Sequence, residues 1–270
     1  KHRLNLIFSI KQTGVPLGGV LAALLIPALL EVMSWHSAML VILLALIVFV
    51  CIALFTPKDW EPENTVMTTS FKTEFINALK TVFRTPALRT LALSSFCFSI
   101  CQLTLMTYAI TFLNKELGFA LVIAGMLLSF SQVSSVIGRI FWGWLADRFF
   151  SPWSMLVFLA LGMITASLAV YSITPDTSTL FIALFFILYG AMGIGWNGVY
   201  LTEVARKSPE GKSGSITGVT LSMTYLGVVV GPPLIGLISE SMGSYAYGFL
   251  FLLIPLGIAL LLLLGTRKAF

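Results

Sequence analysis

Few residues in this chain can do chemistry, and most of those are charged groups set in or beside long apolar runs. Asp147 and Arg148 stand at what reads as a two-residue turn, behind Gly138, Arg139 and Gly143. A carboxylate there can pair with an arginine, and the two glycines let neighbouring helices approach closely. The plainer reading is a tight turn with an arginine that sets topology. Glu203, three residues before Arg206, can pair locally at a helix end. Lys11, beside Gln12, lies about two turns beyond Arg3 in a run that continues to about Leu30. An ammonium group inside a membrane helix costs roughly 2.5–3.5 kcal/mol at the centre, which makes it a functional candidate. Either Lys11 snorkels to the interface or it holds an anionic group of a solute.

Other kinds of chemistry lack their residues. Cys51, Cys97 and Cys101 lie in apolar runs and read as small core residues. Cys97 and Cys101 share a helix face, but a disulfide within one turn is poor geometry. His2 and His36 are isolated. No metal set, phosphate loop, H-E-x-x-H motif or Ser-His-Asp arrangement can be assembled. No cofactor and no metal are expected, and the chain does not read as an enzyme.

The elements that carry these residues are set by composition. Of 270 residues, 58% are hydrophobic and 10% charged, against about 25% charged in a soluble domain. That much apolar surface needs lipid as its solvent. Eight apolar segments run roughly 6–31, 37–56, 88–113, 120–142, 152–173, 179–202, 214–238 and 245–265, each near the ~20 residues that cross hydrocarbon as a helix. The expected class is an all-α membrane protein, a polytopic helical bundle of eight transmembrane helices. With eight spans, every lysine and arginine except Lys115 falls on or near one side. That side is then cytoplasmic and holds both ends of the chain. The basic residues sit in separate short loops, so a nucleic-acid partner is not expected. Three regions follow: 1–56 with two helices, 57–87 as a cytoplasmic connection, and 88–270 with six helices. Within the connection Phe71, Phe75, Leu79 and Phe83 form an i, i+4 stripe flanked by Lys72, Lys80 and Arg84, the pattern of a short amphipathic helix.

Two motifs carry a family resemblance. The stretch Ser135 to Phe149 resembles the cytoplasmic loop signature of the major facilitator superfamily, G-x-x-x-D-R-x-G-R-[KR], with Gly143, Asp147 and Arg148 in place and the later glycine and basic residues absent. The seventh span, with Gly218, Gly227, Gly231, Pro232 and Gly236, resembles that family's antiporter-type motif, Ile235 replacing one glycine. Gly14, Pro16 and Gly18 in the first span give a second Gly/Pro-interrupted segment, as a repeat-built transporter requires. The resemblance implies that the eight spans are family helices five to twelve and that helices one to four lie upstream.

It further implies that the third and sixth spans line a central cavity. The third offers Gln102, Thr104 and Tyr108; the sixth offers Tyr189, Trp196, Asn197 and Tyr200. Aromatic rings with amides suit an amphipathic organic solute, although Asn197 can equally serve as a bond between helices. By the same resemblance Glu203 joins Arg139, Asp147 and Arg148 in a gate network. The expected function is secondary active transport of small organic solutes, organic anions first, by alternating access with H⁺ as the coupling ion. Drug or metabolite efflux, and a non-transporting membrane receptor, are the alternatives. The expected partners are the solute, H⁺, the bilayer of a bacterial cytoplasmic membrane and the N-terminal helices of the same protein.

Overall fold

A computed structural model of the chain describes residues 13–55 and 71–269, and the regular elements among them are all helical. They are α1 (Gly14–Val32), α2 (Trp35–Leu54), α3 (Phe71–Arg84), α4 (Pro86–Lys115), α5 (Leu121–Arg148), α6 (Pro152–Val170), α7 (Thr179–Gly193), α8 (Asn197–Lys207), α9 (Ser213–Met242), α10 (Tyr245–Phe251) and α11 (Leu253–Gly265), with a 3-10 turn at Arg267–Ala269. Eight stretches among the described residues are long and apolar enough to cross a membrane. Two of them are broken: α7 and α8 share the sixth, and α10 and α11 share the eighth.

Local chemistry sets the boundaries. Pro86 and Pro152 open α4 and α6, where a missing N–H costs nothing. The Ser151 and Ser178 hydroxyls accept from the N–H groups of Ser154 and Phe181 and cap α6 and α7. Gly243, at φ +72°, closes α9 in the left-handed conformation.

The long helices pack in pairs: α4 along α9, α5 along α7, α11 along α4 and α6. From the first region, α1 lies along α5, and α2 packs chiefly on α1. Close approach explains two of these contacts. A methyl group on Gly190 of α7 would collide with the Ser131 backbone of α5. Pro27, inside α1, has no N–H for the Ala23 carbonyl, and Gly125 of α5 comes so near that carbonyl oxygen that a Cβ there would collide with it. The outward faces stay apolar, as lipid-facing surfaces must: Leu180, Leu188, Leu237 and Leu261 are all exposed.

The amphipathic helix expected in the connection is α3, and it rests on α4 and α9. Its buried residues are Ala78 and Val82 with Leu79 beside them, while Phe75 and Phe83 remain exposed. Steps of four residues advance about 40° each around a helix, so the stripe crosses the contact face instead of following it.

Candidate functional site

The sixth span stops at Gly193 and resumes at Asn197, with Ile194, Gly195 and Trp196 in a turn between. In a continuous helix the Ala191 and Ile194 carbonyls would meet the N–H groups of Gly195 and Gly198. Here α5 supplies donors instead. Trp142 Nε1 donates to Ala191 O at 2.8 Å. Arg139 donates to Ile194 O through Nε at 3.3 Å and Nη2 at 3.1 Å. Asn197 Nδ2 reaches the same oxygen at 3.3 Å. Arg139 is 1% exposed and lies roughly 14 Å inside the end of α5. The molecule thus keeps an arginine in its interior against the rise in energy that burial imposes on a cation.

One helical level away, Gln102 Oε1 accepts from Trp196 Nε1 at 3.0 Å and from Asn197 Nδ2 at 3.1 Å. The Trp196 indole is fully buried, with Phe98 and Tyr200 against it at centroid distances of 5.4 and 5.2 Å. The Tyr200 hydroxyl faces those of Ser95, Thr220 and Thr224 without completing a hydrogen bond of good geometry. Four of the residues expected to line a cavity, Gln102, Trp196, Asn197 and Tyr200, are therefore together.

Others are elsewhere. Tyr108 donates to the Pro232 carbonyl at 2.7 Å and stacks on Tyr245, so it ties α4 to α9. Thr104 bonds Ile100 O of its own helix, and the Tyr189 hydroxyl pairs with Ser167 and Cys101 between α4, α6 and α7. Cys97 and Cys101 are buried free thiols. Lys11 and Gln12 lie outside the described residues.

The acids gather at the ends of α5 and α8. Asp147 Oδ1 meets Arg206 Nη2 at 3.2 Å. Glu203 lies 4.0 Å from Arg206 and 3.8 Å from Lys207, so the local pairing read for it is present. Arg148 turns outward over the Phe149 ring, and Arg139 is engaged with Ile194 well above this level. Gly143 is buried in α5. Of the motif glycines, Gly227 and Gly231 press on α4, and Gly236 lies beside the Tyr108 hydroxyl. Gly14, Gly18 and Gly218 face open space, so their small size serves no contact among the described residues.

Sequence reasoning missed one polar residue. A cavity of about 240 Å³ between α1, α4 and α5 is walled by apolar side chains and by Gln132. Gln132 hides in a run of serines; its place seven residues before Arg139 was the available signal.

Known proteins agree on the family. Residues 1–232 match the Major Facilitator Superfamily. A probable nitrate/nitrite transporter, NarK2 of Mycobacterium tuberculosis, is 30% identical over 54% of this chain and 36% of its own length. A benzoate transport protein of Acinetobacter baylyi is 28% identical over 82% of this chain and 48% of its own. Monocarboxylate transporter 13 of Rattus norvegicus is 24% identical over 92% and 56%. The chain thus spans about half the length of the curated relatives it matches. The fucose:proton symporter FucP of E. coli, in its outward conformation, superposes with a TM-score of 0.67 at 18% identity, over 100% of this chain and 69% of that one. A bundle of eight apolar spans, a fold shared with FucP and a match over most of its length lead to one conclusion: this chain belongs to the Major Facilitator Superfamily, a family of membrane transporters and not of enzymes.

Proposed function

We propose that this chain is part of a secondary transporter for small organic anions, its eight spans corresponding to family helices five to twelve. The observation that carries the substrate class is Arg139, a guanidinium held in the interior at the break of the sixth span. A buried cation is the natural counterpart of an anionic solute, because burial strengthens the attraction between them. The names of the relatives support the same class: nitrate or nitrite, benzoate and monocarboxylates are all anions. Lys11 remains a second candidate cation on sequence grounds. Alternating access, proton coupling, a bacterial cytoplasmic membrane and cytoplasmic chain ends complete the reading by family resemblance and by the lopsided distribution of basic residues.

The test is uptake of radiolabelled benzoate by liposomes holding the full-length protein under an imposed pH gradient. Wild type should accumulate benzoate, and a protonophore should abolish the accumulation. Arg139→Gln should reduce uptake at least tenfold, with Arg139→Lys in between. Unchanged uptake by Arg139→Gln would remove the arginine from the reading, and accumulation of cationic drugs in place of acids would favour efflux.

A further inference from the structure

We infer that the groove between α4, α9 and α11 holds an acyl chain of an anionic phospholipid, and that Arg89 meets the phosphate of that lipid. The groove has a volume of about 530 Å³, several times the ~150 Å³ that admits benzene. Leu93, Phe96 and Ile100 of α4 line it together with Ile254, Ile258 and Leu262 of α11. Leu234 of α9 is on the same wall. No charged side chain, amide or hydroxyl lines it among the described residues. Such a wall offers no partner to the polar end of a solute and suits plain hydrocarbon.

Its position says which hydrocarbon. Ile254, Ile258 and Leu234 are exposed, so the groove opens on the apolar outer surface of the bundle, where lipid is the solvent. From Leu93 to Ile100 α4 rises about 10 Å, and from Ile254 to Leu262 α11 rises about 12 Å. One leaflet supplies about 15 Å of hydrocarbon, so the groove follows a chain through most of a single leaflet.

Charge selects the leaflet and the headgroup. Arg89 stands one turn before Leu93 on the same face of α4 and is exposed. Lys268, also exposed, follows the end of α11 six residues after Leu262. Neither makes an ion pair among the described residues. Arg267 is turned to the Trp153 ring of α6 instead. Long cationic side chains at a helix end reach the level of lipid phosphates. The charge distribution makes this end cytoplasmic, the side on which anionic lipids attract basic residues. Gln102 lies about 140° around α4 from Arg89, so the lipid backs the helix whose other face holds Trp196 and Asn197. The inference does not depend on which solute is carried.

Photo-crosslinking tests it, in the full-length protein in liposomes, with phosphatidylglycerol bearing a diazirine in its acyl chain. The label should fall on the peptides that contain Phe96 and Ile258. Unlabelled phosphatidylglycerol should compete at least about threefold better than phosphatidylcholine with the same chains. Arg89→Gln combined with Lys268→Gln should erase that preference. Ile258→Trp, which fills the groove, should reduce labelling of the Phe96 peptide at least about threefold; should it fail to fold, the labelling of wild type decides. Purified protein should also melt at least about 3 °C higher with phosphatidylglycerol than with phosphatidylcholine, and inorganic phosphate should not reproduce the increment. Equal competition by the two lipids, a preference that survives loss of both cations, or stabilisation by phosphate alone overturns the headgroup assignment. A label absent from both peptides, as when another helix of the full-length protein covers the groove, overturns the inference as a whole.

Discussion

Asp147 and Arg206 make the plainest ion pair in the described structure, at 3.2 Å, but their side chains are 28% and 43% exposed. A pair so open to water contributes about 0–1 kcal/mol. It is a poor stabiliser and a suitable contact to break in every transport cycle. We propose it as the gate contact that Asp147 was expected to make. Asp147→Asn should slow transport in the full-length protein by up to about fivefold, the equivalent of ~1 kcal/mol, while solute affinity is retained. The exchange Asp147→Arg with Arg206→Asp should restore part of the rate. Wild-type rates for Asp147→Asn, or lost binding at an unchanged rate, would count against the gate. The acids of this cluster were legible in the sequence because a loop motif and a helix end flagged them. The cation of Asp147 was not, since Arg206 is 59 positions away and only the folded bundle brings α8 to the end of α5.

At the scale of elements, the break between α7 and α8 is the feature that organises the site. The glycines Gly190, Gly193, Gly195 and Gly198 surround it, yet the sequence reads there as one unbroken span over 179–202. The donors that complete it could not be read there, because Arg139 and Trp142 lie 55 and 49 positions from the carbonyls they meet. Close contact between α5 and α7 holds the donors in place, and Gly190 is where that contact is tightest. Gly190→Ala should therefore destabilise the full-length protein by about 1–3 kcal/mol, the usual cost of overpacking. Gly257→Ala, in α11 with nothing within 4 Å, should be neutral or stabilising by up to about 1 kcal/mol. Thermal unfolding in detergent compares the two, and equal melting temperatures would contradict the packing argument.

For the whole molecule, sidedness is the property most open to test. The basic residues segregate almost completely, with Lys115 the exception, and asymmetry of that kind fixes orientation. Lys115→Cys should react with an impermeant maleimide on intact cells, and Lys80→Cys on α3 only after permeabilisation. The reverse pattern would invert the topology. Span number and class were legible because a run of apolar residues suffices to define a membrane helix. The cavity beside Gln132 was not, because α1, far upstream in the sequence, must come beside α4 and α5 to complete its wall.

The break has an optical consequence as well. Two of the six tryptophans, Trp142 and Trp196, flank it: the Trp142 indole N–H donates to a carbonyl of the sixth span just before the turn, and Trp196, within the turn, donates to Gln102 of α4. If the turn straightened, both indoles would exchange those partners for others in a single step, and ultraviolet emission shifts with the polarity around an indole. The joint therefore carries its own fluorophores, and its rearrangement has a spectroscopic signature that needs no attached dye.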